Sequence, residues 1–348
     1  AGWVLKDDVG TVVFTGNGVA TYTVPAGEIS NGHFRYYTLT PPAHSSVNAT
    51  ILLDLTTIDS QTVNGVSVTD TRTVTLGETI TVTAAAEIVG GDSNGDSVAD
   101  LTMTPGFVYT SQGAEDQWFN LNSDGFNLKA NWANQDADGS EQTFALLTPV
   151  LSGGSAIGSQ FRYTDGSGTH VLTYNGTAIE IPMAYLDTVE FKAAANIAGS
   201  FEIGVQARTV DTDPDTGVSV SAVSGSAALT NLFIAPVADA VTLAVTGAVT
   251  GNEDTLIPLH VRPTSADPSE TFNVTISNIP AGSTLIYDGV AVAITGGSAT
   301  IVSFDATKSL AIQPPAHSNT DFSLSVSAVS IDTRSEERRV GKECRSRW

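Results

Sequence analysis

The sequence predicts an all-β chain built of consecutive β-sandwich modules. Three observations predict it: apolar residues recur at every second position, turn-forming residues punctuate the apolar runs, and one pattern returns three times along the 348 residues.

In chain order, Gly16-Asn17-Gly18 predicts a hairpin between TVVFT and VATYTV, and Asn175-Gly176 predicts another between THVLTY and TAIEI. Glycine and asparagine enter positive φ cheaply, which tight hairpins require. The stretch from Met183 to Ile197 has β-branched flanks and reads as strand rather than helix. Phe201, Ile203, Val205 and Ala207 then alternate with polar residues, as do Phe272, Val274 and Ile276, and Phe322, Leu324, Val326 and Ala328. Each set is one buried sheet face.

The repeats divide the chain. PPAHS occurs at 41–45 and 314–318, and the same offset carries Ile58-Asp59 onto Ile331-Asp332. A middle copy, AAANIAGSFEIGVQARTVD at 193–211, falls in that register with Val210-Asp211 at its end. Val98-Ala99-Asp100 parallels Val237-Ala238-Asp239, the segment 113–116 parallels 251–254, and DADGSEQTF at 136–144 answers SADPSETF at 265–272. Three modules follow: A at 1–97, entering mid-module; B at 98–236; and C at 237–333, which breaks off before its last strand. The chain reads as a window of a longer array.

Residues 334–348, RSEERRVGKECRSRW, carry six of the fifteen basic residues and the only cysteine. They resemble a translated sequencing-adapter oligonucleotide and are set outside the fold; the other reading is a basic tail for an acidic partner. Without them, nine basic residues face 34 acidic ones, and the modules contain no cysteine. No disulfide is expected in modules that suit a large exported protein stabilised by cations.

The net charge of −22 excludes nucleic acid and disfavours anionic membranes, since binding to phosphate rests on Lys and Arg. No apolar run approaches the roughly 18 residues of a spanning helix, and no signal peptide opens the chain. Catalytic motifs are missing too. His44 and His317 share one repeat position, which marks them as structural, and the remaining histidines stand apart.

The acids cluster, and clustered carboxylates suit Ca²⁺, which takes six to eight oxygen ligands. One cluster is Asp211, Asp213 and Asp215; another is Asp136, Asp138 and Glu141; a third is Asp267 with Glu270. Strand parity puts the loop after Ala207 at the N-terminal pole of module B, where Asp211, Asp213 and Asp100 converge. Asp92, Asn94, Asp96 and Asp100 have the 1, 3, 5 and 9 spacing of a calcium loop, but Gly95 is misplaced and Met103 stands where the bidentate Glu belongs. The plainer alternative is that such acids only solvate turns. Trp118 and Trp132 in module B are read as core, with an aromatic face for a sugar or peptide as the alternative.

PVADAVTL, GNEDT, the Asp-x-Ser-Glu box, SNIPAGSTL and LAIQPPAHSNTDFSLSVSA resemble the tandem cadherin-like or immunoglobulin-like extender repeats of giant bacterial RTX-type adhesins. The resemblance covers residues 1–333. It implies type I secretion, location outside the cell or on the bacterial surface, a part in cell adhesion and biofilm, and Ca²⁺ at the module junctions. Calcium there adds Glu115, Asp116, Asp239, Glu253 and Asp254 as candidate ligands. The expected partners are neighbouring modules of the same chain and surface ligands of a host or biofilm; the chain itself is expected to be a monomer without catalytic activity.

Overall fold

The structure is a computed structural model and describes residues 2–91, 99, 101–103, 110–122, 128, 132–134, 139–224, 227–332 and 343–346. It is all β. Helix among the described residues is confined to α1 (Ala26–Ser30) and the 3-10 turns His33–Tyr36 and Met183–Thr188, none long and apolar enough to cross a membrane.

In module A, β1 (Val4–Lys6), β2 (Val12–Thr15) and β3 (Thr38–Thr40) form an antiparallel sheet in the order β2-β1-β3. β4 (Ala49–Val63) and β5 (Val66–Ile80) follow as a long hairpin, paired from Ala49–Ile80 to Val63–Val66. Its turn is Asn64-Gly65, both at positive φ (50° and 76°), the geometry that matches the twist of two-residue hairpins. The turn after β1 spans Asp7–Gly10, so Gly16-Asn17-Gly18 closes no hairpin. Leu53 pairs with Leu76 and Leu55 with Val74, on one face of the hairpin, and all four side chains are exposed. A sandwich needs a second layer over such a face. The described residues supply none here, and the two buried cores lie in B and C.

Module B contains β6 (Leu101–Met103), β7 (Thr110–Ala114), β8 (Phe119–Asn120), β9 (Trp132–Asn134), β10 (Glu141–Leu151), β11 (Gln160–Asp165), β12 (Gly168–Thr173), β13 (Ile179–Pro182), β14 (Glu190–Lys192), β15 (Gly199–Thr212), β16 (Ser219–Val223) and β17 (Ala227–Ala235). One sheet runs β13-β10-β15-β17-β7 with β16 beside β15; the other runs β12-β11-β14-β8. Between them Phe161, Phe191 and Phe201 are buried, ring centroids 5.1 Å and 5.3 Å apart in succession. Each such ring contributes about 1.5–3 kcal/mol by leaving water. Asn175-Gly176 does not join a hairpin: β12 pairs with β11, β13 with β10, and the turn carries the chain from one sheet to the other. Asn175 Oδ1 accepts the Thr177 amide at 3.0 Å, a local turn that serves a corner as well as a hairpin. The stretch from Met183 is a 3-10 turn before it becomes β14, with Leu186 buried beneath it.

Module C contains β18 (Thr242–Val245), β19 (Ile257–Pro258), β20 (Val261–Thr264), β21 (Thr271–Ser277), β22 (Thr284–Tyr287), β23 (Val290–Val292), β24 (Ser298–Ile301), β25 (Leu310–Gln313), β26 (Ser325–Ile331) and β27 (Glu343–Ser346). The sheets β19-β25-β22-β23 and β24-β21-β26-β27 enclose Val274, Ile276, Leu285, Ile312, Val326 and Ala328. The basic tail, set outside the fold on composition, supplies β27. It takes the side of β26 that β17 takes on β15 in module B, because an open strand edge pairs with whatever extended backbone reaches it.

Candidate metal centre

Strand parity carries the core faces to the acidic poles. On β15 the inward positions run Phe201, Ile203, Val205, Ala207, Thr209 and then Asp211, all buried. On β26 they run Val326, Ala328, Ser330 and then Asp332. The period of two that builds the core thus ends on a carboxylate that the fold withholds from bulk water.

At the junction of B and C, Glu115 follows β7, which pairs in parallel with β17 and so ends beside the linker. Its amide donates to the Ala235 carbonyl at 3.0 Å, and its Oε1 accepts the Val237 amide at 2.7 Å. Asp267 lies in the turn before β21, where Oδ1 and Oδ2 accept the Ser269 amide and hydroxyl at 2.8 and 2.9 Å. Asp332 follows β26. One carboxylate oxygen each of Glu115, Asp267 and Asp332 lies within 4.8 Å of the others, and the three residues are only 2–6% exposed. Two ligands of one Ca²⁺ are separated by at most twice the Ca–O distance, roughly 4.8 Å. Glu270 borders the group: its Oε1 accepts the Asp239 amide at 2.6 Å, while its buried Oε2 has no hydrogen-bond partner. An all-oxygen set with an orphaned carboxylate oxygen fits a hard cation.

The junction of A and B repeats this frame with other residues. Glu141 is the register partner of Asp211, whose Oδ2 accepts the Ala85 amide at 2.7 Å and whose Oδ1, also buried, has no hydrogen-bond partner. The Thr209 hydroxyl donates to the Glu87 carbonyl as the Ser330 hydroxyl donates to that of Asp239, so Glu87 holds at this junction the place that Asp239 holds at the next. Burial, and then the hydrogen-bonded Glu87 carboxylate, push the Glu141 carboxyl well above the usual range. His44 Nδ1 lies 3.7 Å from Glu87 Oε1, both side chains buried.

Other predicted ligands take different roles. Asp254 accepts the His317 amide at 2.9 Å and meets His317 Nδ1 at 3.1 Å; Asp116 accepts the Asn196 amide at 3.3 Å at the matching place in B. Each latches a residue at positive φ (56° for both His317 and Asn196) within its own module. Glu253 is exposed. Asp213 Oδ1 caps its own turn through the Asp215 and Thr216 amides, which hold the Asp213 carboxyl below its ordinary pKa, and Asp215 Oδ2 accepts the amide of Asn48 in module A at 2.8 Å. Asp92, Asn94, Asp96, Asp100, Asp136 and Asp138 lie outside the described residues.

No protein-family profile matches the chain, and no curated protein is significantly similar to it.

Among the aromatic candidates, Trp118 is half-buried with the Arg162 guanidinium 4.4 Å over its ring, so that face is covered. Trp132 lies on β9, opposite Met103. Three members of the two poles, Glu87, Asp332 and His44, lie outside the ligand set that the sequence predicts. For Asp332 the signal was present in the alignment of Ile331-Asp332 with Val210-Asp211, and for His44 in the repeated PPAHS; Glu87 sits in an Ala-rich stretch that offers none.

Proposed function

We propose that the chain is a calcium-stiffened extender segment of a large, exported, repetitive bacterial adhesin, acting as a spacer in cell adhesion and biofilm without catalysis. The observation that carries this reading is the junction of B and C, where Glu115 from one module and Asp267 and Asp332 from the next bring buried oxygens within reach of one ion. Bound Ca²⁺ supplies charge neutralisation and an oxygen-coordinated crosslink. Glu115, Asp267 and Asp332, with Glu270 beside them, would hold it. Without a cation the like charges repel in a site of low dielectric and push the linker open. With one, the angle between modules is set, as an array that must reach away from a cell requires.

Small-angle scattering and thermal melting of the full chain test the reading. Ca²⁺ that binds only the folded state adds roughly 2.7 kcal/mol at a hundredfold excess over Kd. A rise in Tm and a longer, narrower particle in Ca²⁺ than in EDTA are expected. Identical curves in both would refute it.

A further inference from the structure

We propose that Asp8, Glu28 and His33 form a second cation site, a three-ligand pocket for a divalent transition metal of the zinc class. The three come from separate elements: Asp8 from the turn between β1 and β2, Glu28 from α1, and His33 from the start of the 3-10 turn. One ligand atom of each lies within 4.8 Å of the other two. Gly32 at φ 76° lets the chain turn between α1 and His33, a conformation that a side chain would strain. Asp7 Oδ1 accepts the Val9 and Thr11 amides at 3.1 and 2.7 Å, which fixes the turn that carries Asp8.

The spacing around His33 suits a shared metal ion better than a direct hydrogen bond. His33 Nδ1 lies 3.3 Å from Asp8 Oδ2 and 3.6 Å from Glu28 Oε2. An imidazolium that donates to a carboxylate sits at about 2.7–2.9 Å, and its single Nδ1–H serves one acceptor well, not two. Two ligands on one tetrahedral ion, each about 2.0–2.2 Å from the metal, are separated by roughly 3.3–3.6 Å. One imidazole and two carboxylates suit Zn²⁺, whereas the all-oxygen junction of B and C suits Ca²⁺. The His33 side chain is 49% exposed, which admits the metal and leaves a position for water.

Calorimetric titration of the full chain with Zn²⁺, in buffer already saturated with Ca²⁺, tests the site against His33→Ala and Glu28→Gln. Wild type should take up one equivalent that each variant binds more than about tenfold weaker, the scale on which even an outer partner of a ligand is felt. Comparison within the series cancels binding at other histidines and at Cys344. Co²⁺ should give the visible absorption of a four-coordinate nitrogen–oxygen site in wild type alone. Equal Zn²⁺ affinity in wild type and His33→Ala, or a His33 proton titration unmoved by Zn²⁺, would leave an ion pair only and overturn the proposal.

Discussion

Glu141 stands directly opposite Asp211 across β10 and β15, and one step beyond the ladder of β21 and β26 the same register sets Glu270 opposite Asp332. Cross-strand neighbours of like charge destabilise a sheet. Both modules nevertheless place such a pair at the N-terminal pole, against the incoming linker. The two pairs are paired differently: Glu270 meets the Asp239 backbone, whereas Glu141 is hydrogen-bonded to the Glu87 carboxylate.

A pH dependence follows at the junction of A and B. The Glu141 carboxyl is raised by burial and by Glu87, so the folded state favours its protonated form. That contribution is complete below the unfolded pKa of about 4.3 and is lost as pH rises through the folded value. In EDTA, module B should therefore lose stability as pH rises toward and past neutrality, and Glu141→Gln should remove that loss. Melting curves from acid to mildly alkaline pH would contradict this if both proteins showed the same slope.

Asp332→Asn should act with two signs. Removing one of the three clustered carboxylates relieves repulsion, so the variant should melt above wild type in EDTA. It should also give up most of the roughly 2.7 kcal/mol calcium response. A variant that still responds fully to Ca²⁺ would show that the ion sits elsewhere.

The latch of module C separates two substitutions. Asp254→Ala leaves His317 at φ 56° without its carboxylate acceptor and should cost about 1–2 kcal/mol, the scale of a lost cap. His317→Asn should be nearly neutral, because Asn tolerates the left-handed region and Asn196 fills the same place in module B. Urea unfolding of module C measures both; equal losses would refute the account.

Removing residues 334–348 strips β26 of its outer partner. Amides of Val326–Val329 that point toward β27 should exchange quickly, while those bonded to β21 keep their protection. Unchanged hydrogen exchange across the segment would show that the pairing contributes nothing.

The sequence by itself determined the inward faces of β15 and β26 and the acids at their ends. Alternation is local, so Phe201 to Ala207 and Val326 to Ala328 could be read as core without a structure, and two more steps of the same parity reach Asp211 and Asp332. Local turn chemistry was less decisive: Asn64-Gly65 closes a hairpin while Asn175-Gly176 rounds a corner between sheets, since the partner strand settles which use a turn is put to. Only the tertiary structure brought Glu115 beside Asp267 and Asp332, set Glu87 against Glu141, and gathered Asp8, Glu28 and His33 from three elements. Sequence spacing does not encode those meetings, because the packing of separate elements, rather than any local period, sets the distance between side chains.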